Sequence, residues 1–146
     1  MTTLEQATGR CLCGKVRFTA RNVETHYHSC HCTMCRRWGG GPAMAVQCTA
    51  LDFDDDSGLG WYESSEWARR GFCRDCGSSL FYHMTPNDSY IVWVGSLDDQ
   101  TPFSMAGEIY IDAKPAGYAF AGDHPRMTEA EFMASLGLTP DGMPAG

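Results

Sequence analysis

Sulfur carries the chemistry of this chain. Eight cysteines fall into Cys11-Leu12-Cys13, Cys30-His31-Cys32-Thr33-Met34-Cys35, Cys73-Arg74-Asp75-Cys76 and, by itself, Cys48. An even count invites a disulfide framework. Two observations weigh against one. The members of each Cys-x-Cys pair are too close for ordinary bridging geometry. The segment Met1–Arg10 also lacks the apolar stretch of a secretory signal. Close-set thiols in a reducing compartment are more often metal ligands, so the expected setting is cytoplasmic and the expected ligand a metal ion.

Two of the groups share a local pattern. Cys11-Leu12-Cys13-Gly14 and Cys73-Arg74-Asp75-Cys76-Gly77 each end in cysteine followed by glycine. The chain must turn sharply after the second ligand, and glycine accepts the positive φ that the turn requires. Two such knuckles supply four sulfurs, enough to close a tetrahedron around Zn2+ with bonds of about 2.3 Å. A closed tetrathiolate has no vacancy for substrate, so Cys11, Cys13, Cys73 and Cys76 are read as a structural site that closes a loop of about sixty residues. The rival reading makes Cys73 and Cys76 a thioredoxin-like redox pair, which expects a βαβ setting.

The group Cys30, Cys32 and Cys35 packs three thiols into six residues with no Cys-Gly step after them. Three ligands from one loop can leave a fourth position open, the architecture of a catalytic zinc. Alternatively a fourth protein ligand fills it, from Cys48, His28, His31 or His83. His31 lies between two ligands and is expected to point away. Cys48 ends a strand-like run and reads as a small buried hydrophobe. A metal carrying three thiolates suits an incoming thiolate better than it activates water, because it favours the charged form of a bound thiol. Arg36 and Arg37 follow directly and could grip the carboxylates of a thiol substrate, or form a solvated surface pair. Trp38 reads as a pocket wall or a core residue.

The elements that position these groups are mostly short strands. The 146 residues, 43% apolar and 20% charged, are those of one globular domain, 1–146, with a core over about 9–136 and a loose Pro/Gly-rich tail. Val16, Phe18 and Ala20 alternate as one face of a strand. Ala43–Cys48 follows the Gly39-Gly40-Gly41-Pro42 breaker. Ser79–Met84 and Ser89–Val94 form a hairpin across Thr85-Pro86-Asn87-Asp88, and Glu108–Asp112 is a further strand. Thr128 caps a helix over Glu129–Leu136, with Glu131 completing a capping box and Gly137 ending it. The fold class expected is mainly β with one or two short helices. No apolar run approaches the ~20 residues a bilayer needs, so no membrane partner is expected. The formal charge of −7 repels phosphate backbones, which argues against nucleic acid.

With these residues in place, the chain resembles the glutathione-dependent formaldehyde-activating family, which includes centromere protein V-like members. The matching stretches are Cys11-Leu-Cys13-Gly14-Lys-Val16, Cys30-His-Cys32-Thr-Met-Cys35-Arg36, Phe72-Cys73-Arg-Asp-Cys76-Gly77-Ser78 and Val94-Gly95-Ser96-Leu97-Asp98, within residues 9 to 125. The resemblance implies an Mss-like β-tent zinc-binding fold. It implies two Zn2+ per chain, a structural one on Cys11, Cys13, Cys73 and Cys76 and a catalytic one on Cys30, Cys32 and Cys35. The activity it implies is that of a carbon–sulfur lyase joining glutathione and formaldehyde as S-hydroxymethylglutathione. In this chain Glu108 stands where many members carry histidine, and Gly117, followed by Tyr118, stands where an aromatic residue is common. A proton donor is required for the new alkoxide, and His83 and His31 are candidates. Two other classes remain open: a non-catalytic protein-binding module with both zincs structural, and a redox sensor releasing zinc from Cys30, Cys32 and Cys35.

Overall fold

The computed structural model describes residues 2–138, and the tail expected to be loose lies outside the described residues. The strands are β1 (Thr3–Arg10), β2 (Arg17–Glu24), β3 (His26–Cys30), β4 (Ala43–Cys48), β5 (Ala50–Asp55), β6 (Leu59–Glu63), β7 (Ala68–Cys73), β8 (Ser79–Met84), β9 (Ser89–Trp93) and β10 (Ser104–Ile109). Among the described residues there are two α-helices, α1 (Thr33–Gly39) and α2 (Glu129–Ser135). The fold is therefore mainly β, as expected. No helix here is long and apolar enough to cross a membrane. The described residues divide into two compact units, 2–27 with 44–104, and 28–43 with 105–138.

The first unit holds an antiparallel sheet in the order β1-β2-β5 and a second run in the order β4-β9-β8-β7-β6. Period-two burial drives β2: Phe18 and Ala20 turn inward with Val16 just before them. At Asn22 the backbone enters the left-handed region, φ 51°, which asparagine tolerates better than most residues. The inward set then passes to Val23. Phe18 and Ala20 lie opposite Phe53 and Leu51 of β5. The expected hairpin is present, with Phe81 of β8 paired to Val92 of β9. Val46, Leu80, Phe81 and Val92 are fully buried and share one core with β2. Cys48 belongs to that core; burial pushes its thiol up to about 12. That is the chemistry of an inert apolar cysteine.

In the second unit β3 lies beside β10, and the contact continues as His31 N–H donates to the Ile109 carbonyl at 3.2 Å. The strand expected over Glu108–Asp112 is displaced. It begins at Ser104 and ends at Ile109, because Tyr110 turns left-handed (φ 57°, ψ 40°) into a 3-10 turn over Ile111–Ala113. Residues 125–127 run beside β10: Glu108 N–H donates to Pro125 O and Met127 N–H to Glu108 O, each at 2.9 Å. Helix α2 has both halves of the capping box, Glu131 N–H to Thr128 Oγ1 at 3.1 Å and Thr128 N–H to Glu131 Oε1 at 2.9 Å. It ends in a Schellman turn at Gly137, with Leu138 N–H bonded to Met133 O at 2.8 Å.

Candidate metal centres

The first unit brings Cys11, Cys13, Cys73 and Cys76 together, their sulfurs all within 4.8 Å of one another. Cys11 and Cys13 follow β1, and Cys73 closes β7, so the two knuckles sit on the turns β1–β2 and β7–β8. Gly14 and Gly77 have φ of 83° and 78°, the left-handed turn after each second cysteine. Each knuckle aims a backbone N–H at its first sulfur: Val16 N–H to Cys11 Sγ at 3.3 Å, and Cys76 N–H to Cys73 Sγ at 3.5 Å. Ser78 joins the two, its hydroxyl accepting from Leu12 N–H at 3.0 Å and lying 3.2 Å from Cys76 Sγ.

The spacing fits a metal ion. Bonds of about 2.3 Å to a tetrahedral zinc put the sulfurs about 3.8 Å apart. Cys11 to Cys13 is 3.6 Å and Cys13 to Cys73 is 3.8 Å. A disulfide needs about 2.05 Å, and none of the eight cysteines is joined in one. The acidities also call for a cation. The Ser78 hydroxyl and then the backbone bonds of Cys13 and Ser78 lower the Cys76 thiol to about 5. Cys13 is driven to about 11: a backbone bond to Lys15 favours its thiolate, but the neighbouring sulfurs, Cys11 foremost, outweigh it. Four crowded sulfurs cannot all ionise without a metal to share the charge.

The second unit brings Cys30, Cys32 and Cys35 within the same limit, and among the described residues no fourth cysteine, histidine or carboxylate joins them. Cys30 ends β3, Cys32 is the N-cap of α1 and Cys35 lies in its first turn. The spacing thus follows from a strand running straight into a helix. Cys32 Sγ accepts from Cys35 N–H at 3.3 Å. The sulfurs of Cys32 and Cys35, together with burial, push the Cys30 thiol far up. A three-sulfur donor set favours a soft or borderline cation such as Zn2+.

The remaining sequence candidates are placed as follows. Arg36 is engaged inside the unit, with Nε donating to His31 O at 2.9 Å and Nη2 to Ala113 O at 3.1 Å. Arg37 is exposed and Trp38 half-buried. His28 is exposed. His83 belongs to the β8–β9 hairpin, stacked on Tyr90 and bonded to Asp88 Oδ1 at 2.6 Å. His31 is fully buried, with its ring nitrogens at 2.8 Å from Tyr118 Oη and 2.7 Å from Glu108 Oε1.

Sequence reasoning missed the roles of Ser78 and Tyr110. Burial first, then the charges of Glu129 and of the three sulfurs, push the Tyr110 phenol up to about 12. It is therefore a neutral O–H at physiological pH, in the field of the cysteine triad. No local sequence pattern marked it; only in the structure does it stand out, as an aromatic residue in the left-handed region, an uncommon backbone outlier.

The family model described as glutathione-dependent formaldehyde-activating enzyme matches residues 6–113. An uncharacterized lyase of Schizosaccharomyces pombe is 33% identical over 130 residues, covering 88% of this chain and 95% of the relative. A crystal structure of a Rhodobacter sphaeroides protein superposes with a TM-score of 0.52 at 24% identity, covering 82% of this chain and 98% of that one.

Proposed function

The chain belongs to the glutathione-dependent formaldehyde-activating enzyme family, and from that premise we propose that it is a cytoplasmic zinc-dependent carbon–sulfur lyase acting on glutathione and formaldehyde. One observation carries this reading. Three convergent sulfurs, Cys30, Cys32 and Cys35, are joined by no fourth cysteine, histidine or carboxylate among the described residues, in a chain whose other cluster has four sulfurs. A filled tetrahedron staples a fold, whereas an incomplete one is suited to a substrate.

Zinc in the triad would supply the fourth-ligand position for a thiol and lower its pKa. The chain's own residues do the rest. Cys30, Cys32 and Cys35 would hold the ion whose open position faces the thiol, and proximity of that sulfur to the aldehyde carbon is the main gain. As the C–S bond forms, the carbonyl pair moves onto oxygen, and the proton lost by the thiol returns to that oxygen. Tyr110, a half-buried phenol kept neutral in the field of the three sulfurs, is our candidate for that proton's carrier. Arg37, exposed after the triad, is assigned to the carboxylates of glutathione. Arg36 shapes the loop through its two carbonyl contacts.

The test counts metal per chain, then titrates glutathione into cobalt-substituted protein. The expected result is two metals and a changed thiolate charge-transfer band from the second site. Cys32→Ser should lose turnover of glutathione with formaldehyde while staying folded, and Cys76→Ser should unfold. A second site indifferent to glutathione would favour a purely structural metal and a binding module.

A further inference from the structure

The two Cys-x-Cys pairs differ in the residue between the ligands. In the first, Leu12 is 81% exposed; in the second, His31 is 0% exposed. Along an extended chain residues i and i+2 share a face and i+1 points the other way. His31 therefore backs the loop whose other side presents Cys30 and Cys32.

Each polar group of His31 is engaged. Its N–H donates to Ile109 O at 3.2 Å, and its carbonyl accepts from Arg36 Nε at 2.9 Å. Nε2 donates to Glu108 Oε1 at 2.7 Å, and Nδ1 lies 2.8 Å from Tyr118 Oη. Glu108 is itself fixed. It is 1% exposed, and its other oxygen accepts from His124 Nε2 at 2.5 Å and Arg126 Nε at 2.9 Å. Its backbone N–H and carbonyl pair with residues 125 and 127. Burial pushes the Glu108 carboxyl up, but the bonds from His124 and His31 and the charge of Arg126 outweigh it and hold it below the usual carboxylate range. Glu108 is thus an anionic acceptor with its donors already in place.

We propose that Glu108 and His31 form a buried strut that presets Cys30 and Cys32 for the metal, so both are positioning residues of the three-sulfur site. The inference rests on reading that triad as a metal site. The physical need is specific to it. Four sulfurs drawn from two knuckles close their tetrahedron by ligand count alone. A triad with an open position has fewer bonds to impose its own geometry, so the loop must be held from behind. Outer-shell partners of this kind change metal affinity by about 10- to 100-fold.

The experiment uses the full chain at fixed pH, with both equivalents competed against a chromophoric chelator and the cobalt spectrum of each recorded. His31→Phe keeps a ring of similar size but loses both ring bonds, and leaves Glu108 its His124 and Arg126 partners. Glu108→Ala removes the strut from the other end. His31→Gln keeps a donor for Glu108. His31→Phe and Glu108→Ala should each weaken the second equivalent about 10- to 100-fold and shift its cobalt bands. The four-sulfur equivalent should be unmoved, and His31→Gln should recover part of the loss. An unchanged second equivalent, or parallel loss of both equivalents in all three variants, would overturn the strut. A wild-type chain that binds only one metal would instead sink the triad reading beneath it.

Discussion

Gly77→Ala isolates the backbone contribution to the four-sulfur site. Gly77 has φ 78°, and a Cβ built on it meets nothing within 4 Å. No side chain would be displaced, so the whole cost is that of an L residue in the left-handed region, about 1–2 kcal/mol. Because this turn delivers Cys76, the cost falls on the geometry that holds the metal. At 1.36 kcal/mol per tenfold, it corresponds to about 5- to 30-fold weaker binding of the first equivalent. Chelator competition reads that change directly, with the three-sulfur equivalent as internal reference. Asparagine tolerates the left-handed region better than alanine, so Gly77→Asn should lose less. Gly40, at φ 84° in the cap of α1 and equally unobstructed, provides the control. Gly40→Ala carries the same intrinsic strain yet should leave the first equivalent unchanged. Equal loss from Gly77→Ala and Gly77→Asn, or no loss from either, would refute the assignment of that turn's role to φ.

Three further outcomes are expected. Ser78→Ala removes the hydroxyl beside Cys76 Sγ, a bond to a charged group of about 1.5–3 kcal/mol. First-site affinity should fall, and Ser78→Thr should restore most of it in the same competition assay. Gly71→Ala would drive a methyl into the Phe81 ring, which is fully buried and cannot swing aside. Overpacking of this kind costs about 1–3 kcal/mol, and a double-mutant cycle with Phe81→Leu, followed by thermal unfolding, should show strong coupling. Thr128→Ala removes the cap of α2, with an expected loss of about 1 kcal/mol. Amide exchange in α2 should speed up while both metal equivalents keep their affinity.

Local chemistry was legible in the sequence because its signals are short-range. Each knuckle declares itself in a few residues through cysteine spacing and the glycine that follows. Ala43–Cys48 and Ser79–Met84 occur as expected, since alternation and turn residues lie within a single segment. The capping box of α2 is likewise written in Thr128 and Glu131. Strand β1 was missed because it is largely polar and half-exposed along its length. Its place comes from pairing with β2 rather than from periodicity. Helix α1, seven residues long, is too short to develop a 3.6-residue pattern.

Residue types and spacing alone thus determined that two sulfur clusters exist, which cysteines form each, and that Cys48 stands apart. Only the tertiary structure decided what supports them. Glu108, which in sequence read as a departure from a family pattern, becomes the buried anchor of His31 across 77 positions. Ser78 reaches the opposite knuckle across 66. Tyr110 comes under the charge of the triad through a strained turn after β10. Ligand spacing is a property of a few consecutive residues and survives in any fold. The hydrogen bonds and fields that tune those ligands depend on which distant segments the sheets bring side by side, and no local pattern encodes that pairing.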